Sequence, residues 1–230
     1  MKNAIQTIND FDIKPFRPAL LAIAAKFTPE EAAASFTWIV SLGVRLLMTT
    51  GTRSGSVEAV FSDVAHKVYK GEYKTTAEIK AFLAKFVPTN EQFQQSFETA
   101  TVTNGKYARY YLRAMEKVAQ KQHNPWWVPN EDKESMTLEH VLPLNPDDNW
   151  PQFTDDEVKT YAKRIGNMCL LPKTVNSDLR SADQKTKYAV YKDAPYVLTS
   201  QIVEAKAWNI AAICERQTGL AKLALKAWPL

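Results

Sequence analysis

Two short stretches decide how this chain is organised. Residues 138–143 read Leu-Glu-His-Val-Leu-Pro, and residues 164–171 read Arg-Ile-Gly-Asn-Met-Cys-Leu-Leu. Short apolar runs that end at a proline or follow a glycine are typical of strands. We therefore predict one strand over residues 135–142 and a second over residues 167–171, separated by a long loop that contains a helix.

The rest of the chain reads as helix. Three helix starts carry a threonine followed three residues later by a glutamate, which is the capping-box pattern; these are Thr28, Thr75 and Thr154. The stretch 36–48 is apolar nearly all round, so its helix is expected in a core. We predict a helix over residues 174–191, and two closing helices over residues 200–218 and 220–228.

The fold class that follows is α+β and predominantly α-helical. Residues 123–132 read His-Asn-Pro-Trp-Trp-Val-Pro-Asn-Glu-Asp, and two prolines among turn residues are typical of a linker or an irregular loop. We place the domain boundary there. The prediction is a helical domain over residues 1–125 and a second domain over residues 126–230, with closing helices at its end.

Composition excludes several kinds of protein. The two cysteines, Cys169 and Cys214, are far apart and lie outside any Cys-x-x-Cys pair, so no structural zinc and no disulfide framework are expected. The sequence shows neither an 18-residue apolar run nor the apolar region of a signal peptide, so we expect no membrane span and a cytoplasmic protein. A net charge of +4 permits nucleic-acid binding without establishing it.

The residue types in the two strands and just after them suit phosphodiester hydrolysis. Histidine, here His140, is the side chain best matched to deprotonating water near neutral pH. A hard divalent cation held by oxygen ligands stabilises the charge that develops on the phosphate. Glu139 and Asn176 offer a carboxylate and an amide oxygen for such a cation.

These motifs resemble the HNH superfamily and its ββα-metal core. More narrowly, they resemble the DUF1524 branch, the C-terminal nuclease domain of GmrSD-like restriction proteins. That branch shows an acidic-His-hydrophobic-x-Pro strand, a Gly-Asn-x-x-Leu-Leu strand, and then Asn and Lys in a helix. The matching positions here are Glu139 to Pro143, Gly166 to Leu171, Asn176 and Lys185. The nine-residue step from Asn167 to Asn176 is also similar to that of HNH nucleases.

The resemblance implies a role for each matching residue. His140 would be the general base, and Glu139 and Asn176 would hold Mg²⁺ or Mn²⁺. Asn167 would pin the loop and orient His140, and Lys185 would approach a phosphate. One physical difficulty stands beside these roles: adjacent residues of a regular strand point to opposite faces. Glu139 and His140 share a site only if the strand kinks or ends there, or if water relays the contact.

Basic residues offer candidate contacts to a DNA backbone. Arg109 and Arg113 are four residues apart on one predicted helix, so they share a face. Lys163 and Arg164 stand beside the second strand. Arg180 follows Asn176 by four residues on the predicted helix and would share its face. For Arg109 and Arg113, the alternative is a solvated helix face. Trp126, Trp127 and Trp150 invite a base-stacking interpretation, but we favour hydrophobic anchoring.

The resemblance also implies partners and a biological setting. Relatives carry an N-terminal, nucleotide-using DUF262-like domain, whose motifs are not seen here, and they restrict modified or foreign phage DNA. The prediction is therefore a metal-dependent DNA endonuclease that nicks or cleaves. Two alternatives stay open. One is a catalytically silent DNA-binding or scaffold module of a larger defence protein, and the other is a ribonuclease.

Overall fold

The computed structural model describes residues 2–49, 55–122, 136–176 and 179–230. The chain divides into two compact units, residues 1–93 with 228–230, and residues 94–227. This division falls at Phe93, whereas the sequence placed the domain boundary at residue 125, which lies outside the described residues together with Trp126 and Trp127. The domain assignment made from the sequence therefore stays a prediction.

The first unit is built from helices. Their bounds are α1 Lys2–Asp10, α2 Arg17–Lys26, α3 Pro29–Thr49, α4 Gly55–Tyr69, α5 Thr76–Leu83 and the first residues of α6 Asn90–Thr99. The prediction that α3 lies in a core is confirmed, since every side chain from Trp38 to Leu46 is buried. Continuous burial of this kind is the mark of a helix enclosed on all sides.

The helix α3 is long and apolar enough, by length and composition, to cross a membrane, with a mean hydropathy of 1.4 over its most apolar window. That window is 67% buried inside the fold, which is also the property of a core helix. The buried guanidinium of Arg45 lies in its middle and donates to the Trp228 carbonyl oxygen (2.8 Å) and to Asn90 Oδ1 (2.8 Å). A single helix of this kind is weak evidence for a membrane span, so the expectation of no span stays a prediction.

The capping boxes show how far local sequence decides helix starts. Thr75 and Thr154 both form complete capping boxes with the glutamates three residues later, as predicted. Thr28 accepts from the Glu31 backbone N–H at 3.3 Å, but the Glu31 carboxylate instead accepts from the backbone and hydroxyl of Thr76. That carboxylate therefore joins the starts of two helices, which the sequence pattern alone did not indicate.

The second unit contains the only sheet among the described residues. Its elements are α7 Gly105–Ala119, β1 Met136–His140, α8 Asp155–Tyr161, β2 Met168–Pro172, α9 Lys173–Asn176, α10 Gln184–Lys192, α11 Val197–Ser200 and α12 Ile210–Ala227. The strands β1 and β2 pair antiparallel, from Met136 opposite Pro172 to His140 opposite Met168. Both predicted strands are confirmed, and so is the mostly helical α+β fold class.

Two helix predictions in this unit were wrong. The single helix expected over residues 174–191 is two, because Asp183 caps α10 by accepting from the Thr186 backbone N–H (2.8 Å) and Arg180 adopts a left-handed φ of 34°. The two closing helices are one long helix, α12, which runs through Gly219. A glycine costs a helix interior only about 1 kcal/mol, and packing of the buried face outweighs it.

The residues just before β2 and at its start are held by hydrogen bonds from α12. Gln217 is fully buried; its side-chain oxygen accepts from the Gly166 backbone N–H (3.2 Å), and its nitrogen donates to the Phe97 and Ala100 carbonyl oxygens. Arg216 donates to the carbonyl oxygens of Gly166 (2.7 Å) and Met168 (2.8 Å). A Cβ at Gly166 would stand 2.4 Å from the Ile213 carbonyl oxygen, so this position has no room for a side chain.

The packing of Gly166 generates a prediction. Gly166→Ala should lower the free energy of unfolding by about 2–3 kcal/mol, because the methyl group overlaps α12 backbone and the helix must shift. Chemical denaturation followed by circular dichroism measures this. Gly219→Ala is the matched control, since among the described residues no heavy atom beyond its chain neighbours and the nearby backbone of its own helix lies within 4 Å of its Cβ position. We expect that variant to be neutral or slightly more stable; equal stability of the two variants would contradict the packing argument.

Candidate active site

The strand β1 carries both Glu139 and His140, and it stays regular through them. His140 still pairs with Met168, and the chain bends only at residues 141–142. Glu139 is buried, at 7% exposure, whereas His140 is half-buried. Because the pairing is unbroken, the two side chains project to opposite faces of the sheet. The kink that would bring them together at one point is not present in this strand.

Asn167 fixes the chain immediately after His140. Its side-chain nitrogen donates to the carbonyl oxygens of Leu142 (2.8 Å) and Ala162 (2.9 Å). Its side-chain oxygen accepts from the Leu142 backbone N–H (2.8 Å) and from the Trp208 indole N–H (2.9 Å). A side-chain amide has two donor hydrogens and two lone pairs, so this one is saturated. With no exposed surface, Asn167 has the contacts of a clamp rather than of a substrate-binding group.

Glu139 is held by two residues of α10. The Lys187 ammonium donates to Glu139 Oε1 at 2.5 Å, and the Tyr191 hydroxyl donates to the same oxygen at 3.2 Å. Burial raises the pKa of the Glu139 carboxyl, and the Lys187 charge and the hydrogen bonds from Lys187 and Tyr191 oppose that rise. Lys187 also donates to the His140 backbone carbonyl oxygen at 2.7 Å.

Asn176, at the end of α9, holds the first half of β1. Its side-chain nitrogen donates to the Thr137 hydroxyl (2.8 Å) and to the Leu138 carbonyl oxygen (3.0 Å). Both bonds use the nitrogen, and within the part of the chain that the structure describes no hydrogen bond to the amide oxygen is formed. The three polar side chains of Asn176, Lys187 and Asn167 therefore hold successive parts of the segment 137–142.

A cleft of about 350 Å³ lies beside this segment. Its lining residues are Thr137, Leu138, Glu139, Lys173, Asn176 and Arg180. One carboxylate, one amide oxygen and two cationic side chains thus meet at one place. Mg²⁺ is usually held by one or two protein oxygens together with water and substrate phosphates, and this donor set fits that pattern. The described residues contain no cluster of three or more His, Cys, Asp or Glu side chains that would form a closed metal cage.

His140 is largely withdrawn from water. Burial lowers the pKa of its imidazole to about 4, and the nearby charges of Lys187 and Lys163 act in the same direction. The imidazole is therefore neutral at pH 7 and can accept a proton. A phosphodiester bound nearby would bring negative charge, which favours the protonated form and shifts the pKa of His140 upward.

A comparison with protein families shows which family the chain belongs to. The family described as GmrSD restriction endonucleases, C-terminal domain, matches residues 87–223, which is more than half of the chain. The chain belongs to this family. No curated protein matches the chain. Membership supports a nuclease role and implies an N-terminal partner domain in the complete restriction protein.

In this GmrSD C-terminal domain, some of the predicted site residues line the cleft and others do not. Glu139, Asn176 and Arg180 line the same cleft. Arg180 reaches it from the left-handed turn before α10, not from the helix of Asn176 as the sequence suggested. Lys185 is exposed and is not among the residues that line the cleft.

The other basic residues proposed for DNA contact are placed differently. Lys163 is exposed and close enough to influence His140. The guanidinium of Arg164 donates to Gln217 Oε1 (3.0 Å) and to the Glu98 carbonyl oxygen (2.7 Å), so it holds the fold internally. Arg109 is buried, at 9% exposure, and Arg113 is half-buried. Guanidinium groups that are buried, partly buried or bound to the fold are poorly placed for a phosphate, so these three arginines have no role in the proposal below.

Two residues of the site were missed by the sequence analysis. Lys187 was passed over for Lys185, although its four-residue spacing to Tyr191 puts the two on one helix face. Lys173, in the first turn after β2, carried no motif that singled it out. Trp150 is buried and its indole N–H donates to the Ala182 carbonyl oxygen (3.0 Å), which agrees with the anchoring interpretation.

The depressed pKa of His140 generates a prediction about pH. Unfolded histidine titrates near 6.5, so between pH 6.5 and pH 4 the unfolded chain takes up a proton at this position and the folded chain does not. Stability is therefore lost as the pH falls through that window, by up to about 3 kcal/mol at pH 4. Unfolding free energies of the native chain and of His140→Gln, measured from pH 7.5 to 4, should diverge by this amount. Parallel curves would contradict the burial of the imidazole.

Proposed function

We propose that this chain is a metal-dependent DNA endonuclease of the HNH type that restricts modified or foreign phage DNA. The observation that carries the proposal is the way β1 is held. Asn176, Lys187 and Asn167 bind successive parts of the segment around a half-buried, neutral histidine. Rigid placement of a general base is what hydrolysis of a phosphodiester requires, and His140 directly follows the cleft residue Glu139 in β1, although it does not itself line the cleft.

The roles follow from position and chemistry. His140 would take the proton of the attacking water. Glu139 and Asn176 would hold Mg²⁺ or Mn²⁺ through the second carboxylate oxygen and the amide oxygen, and the bound cation would stabilise negative charge developing on the phosphate. Lys173 and Arg180 would contact the phosphate backbone electrostatically. Asn167 and Lys187 touch only protein groups and act by holding β1. We also propose a cytoplasmic location and a nucleotide-using partner domain.

Specific observations favour one other function, a catalytically silent DNA-binding module. Glu139 already has a cationic partner in Lys187, and the side chains of Glu139 and His140 project to opposite faces of the sheet. A silent module would keep the cleft and its cations without cutting. Cleavage assays separate the two functions, and a parallel RNA substrate tests the ribonuclease alternative.

The first test is conversion of supercoiled plasmid with Mg²⁺, Mn²⁺ or excess EDTA. The native chain should nick or linearise DNA with either metal and not with EDTA. His140→Ala should lower the rate at least ~100-fold, within the range general-base catalysis contributes. His66→Ala, a histidine of the other unit, is the control and should cut normally. Unchanged cleavage by His140→Ala at equal purity would rule out the proposed base, and DNA binding without any cleavage would favour the silent module.

The cleft cations generate a separate prediction about binding. Lys173→Ala with Arg180→Ala should weaken DNA binding by roughly 10-fold at low salt and reduce the slope of log Kd against log salt by about 2, one for each lost phosphate contact. Fluorescence anisotropy with a labelled duplex measures both. Lys222→Ala, an exposed lysine of α12 outside the cleft, should change neither quantity. Equal effects in the control would show that the cleft is not where DNA binds.

A further inference from the structure

The side chain of Lys187 has no exposed surface, which is unusual for a lysine. Its ammonium group is compensated by the Glu139 carboxylate at 2.5 Å and by the His140 carbonyl oxygen at 2.7 Å. The ring of Trp150 lies 6.0 Å from the nitrogen. A buried ammonium costs several kcal/mol unless its donors are satisfied, so these two acceptors are what makes the position tolerable.

The two acceptors belong to neighbouring residues that project to opposite faces of β1. One is the side chain of Glu139, and the other is the main chain of His140. The same peptide group is also fixed at its N–H, since the Val141 backbone N–H donates to the Asn167 carbonyl oxygen at 2.9 Å. Together these bonds hold the peptide that follows the Cα of His140, and with it the direction in which the imidazole leaves the strand.

Helix geometry explains why Lys187 and not Lys185 makes these contacts. Residues two apart on a helix point about 200° apart, so the two lysines of α10 face nearly opposite ways. The inward direction at Lys187 is shared by Tyr191, one turn later, which binds the same Glu139 oxygen. Lys185 is exposed to solvent.

We propose that Lys187 is a positioning residue that couples the Glu139 carboxylate to the orientation of His140. The inference rests on the proposed nuclease function and deepens it. Lys187 is fully buried and does not reach substrate. Its ammonium binds both the Glu139 carboxylate on one face of β1 and the backbone of His140, whose side chain is on the other face. The proposed metal ligand and the proposed base therefore keep a fixed position relative to each other, although they lie on opposite sides of a regular strand.

The competing explanation is an ion pair that only stabilises the fold. Buried ion pairs can often be replaced by apolar groups of similar volume with little loss of stability, whereas loss of one partner alone is costly. Stability by itself therefore does not separate the two explanations. The separating quantities are the rate of the chemical step in the folded variant and the environment of the His140 ring.

The activity test compares four proteins under single-turnover conditions at saturating metal. Lys187→Met should lower the nicking rate constant about 100-fold with the DNA Kd within about 3-fold of native, since misplacing a reacting group by about 1 Å has an effect of this size. Lys187→Arg, which keeps the charge and can bridge both acceptors, should recover at least a tenth of the native rate. Lys192→Met, an exposed lysine of the same helix, is the control and should cut normally. Native rates in folded Lys187→Met would overturn the proposal.

The second test does not depend on activity. The chain has three histidines, and the ring signals of His140 are identified in NMR spectra as those missing from His140→Gln. At pH 8, Lys187→Met should shift the His140 ring signals and leave the other two in place, whereas Lys192→Met should shift none. If the native chain does not cut DNA, the nuclease proposal fails while this measurement still decides the positioning role. Unshifted His140 signals would overturn the inference in either case. If Lys187→Met does not fold, Lys187→Gln is measured in its place.

Discussion

The amide of Asn167 is the constraint on which the second unit depends. Its side chain is fully buried, with all four of its hydrogen-bonding positions filled. Its partners come from the chain after β1, from the end of α8 and from Trp208 before α12. Any other side chain of similar size would leave buried backbone groups without hydrogen-bond partners, and each such group would lower the free energy of unfolding by about 1–3 kcal/mol. The strand that carries His140 therefore ends in one defined conformation.

Two charged side chains, Glu116 and Arg216, bind backbone groups of other elements around the sheet. Glu116 of α7 accepts from the backbone N–H groups of Val197 (2.6 Å) and Leu198 (2.9 Å) and so satisfies the start of α11. Arg216 of α12 donates to Gly166, to Met168 and to Leu198, which joins the end of the loop, β2 and α11. Each of these charges is bound to backbone, so each one fixes a connection between elements. In sequence Glu116 stands among the basic residues of α7, and only its burial shows this structural role.

The rigidity of this framework has a chemical consequence. A short two-stranded sheet is marginal by itself in water, and here helices on several sides hold it. The cleft residues Asn176 and Glu139 are bound to their neighbours before any ligand arrives, which lowers the cost of ordering them on binding. The cationic residues at the cleft, Lys173 and Arg180, have exposed side chains. A fixed framework with exposed cations at its edge is compatible with the nuclease role that family membership supports.

The sequence by itself determined the features that depend on residues a few positions apart. The capping boxes at Thr75 and Thr154, the two strands, the core helix α3 and the family motifs around His140 and Asn167 were all predictable, because their hydrogen bonds and periodicities are local. Only the tertiary structure decided which lysine of α10 is buried and that Arg164 forms hydrogen bonds inside the fold. It also decided that Glu139 forms an ion pair with Lys187 while the His140 side chain points to the opposite face of the sheet. Those outcomes depend on which face of each helix packs against the sheet, and that is set by contacts between residues tens of positions apart, which no local pattern encodes.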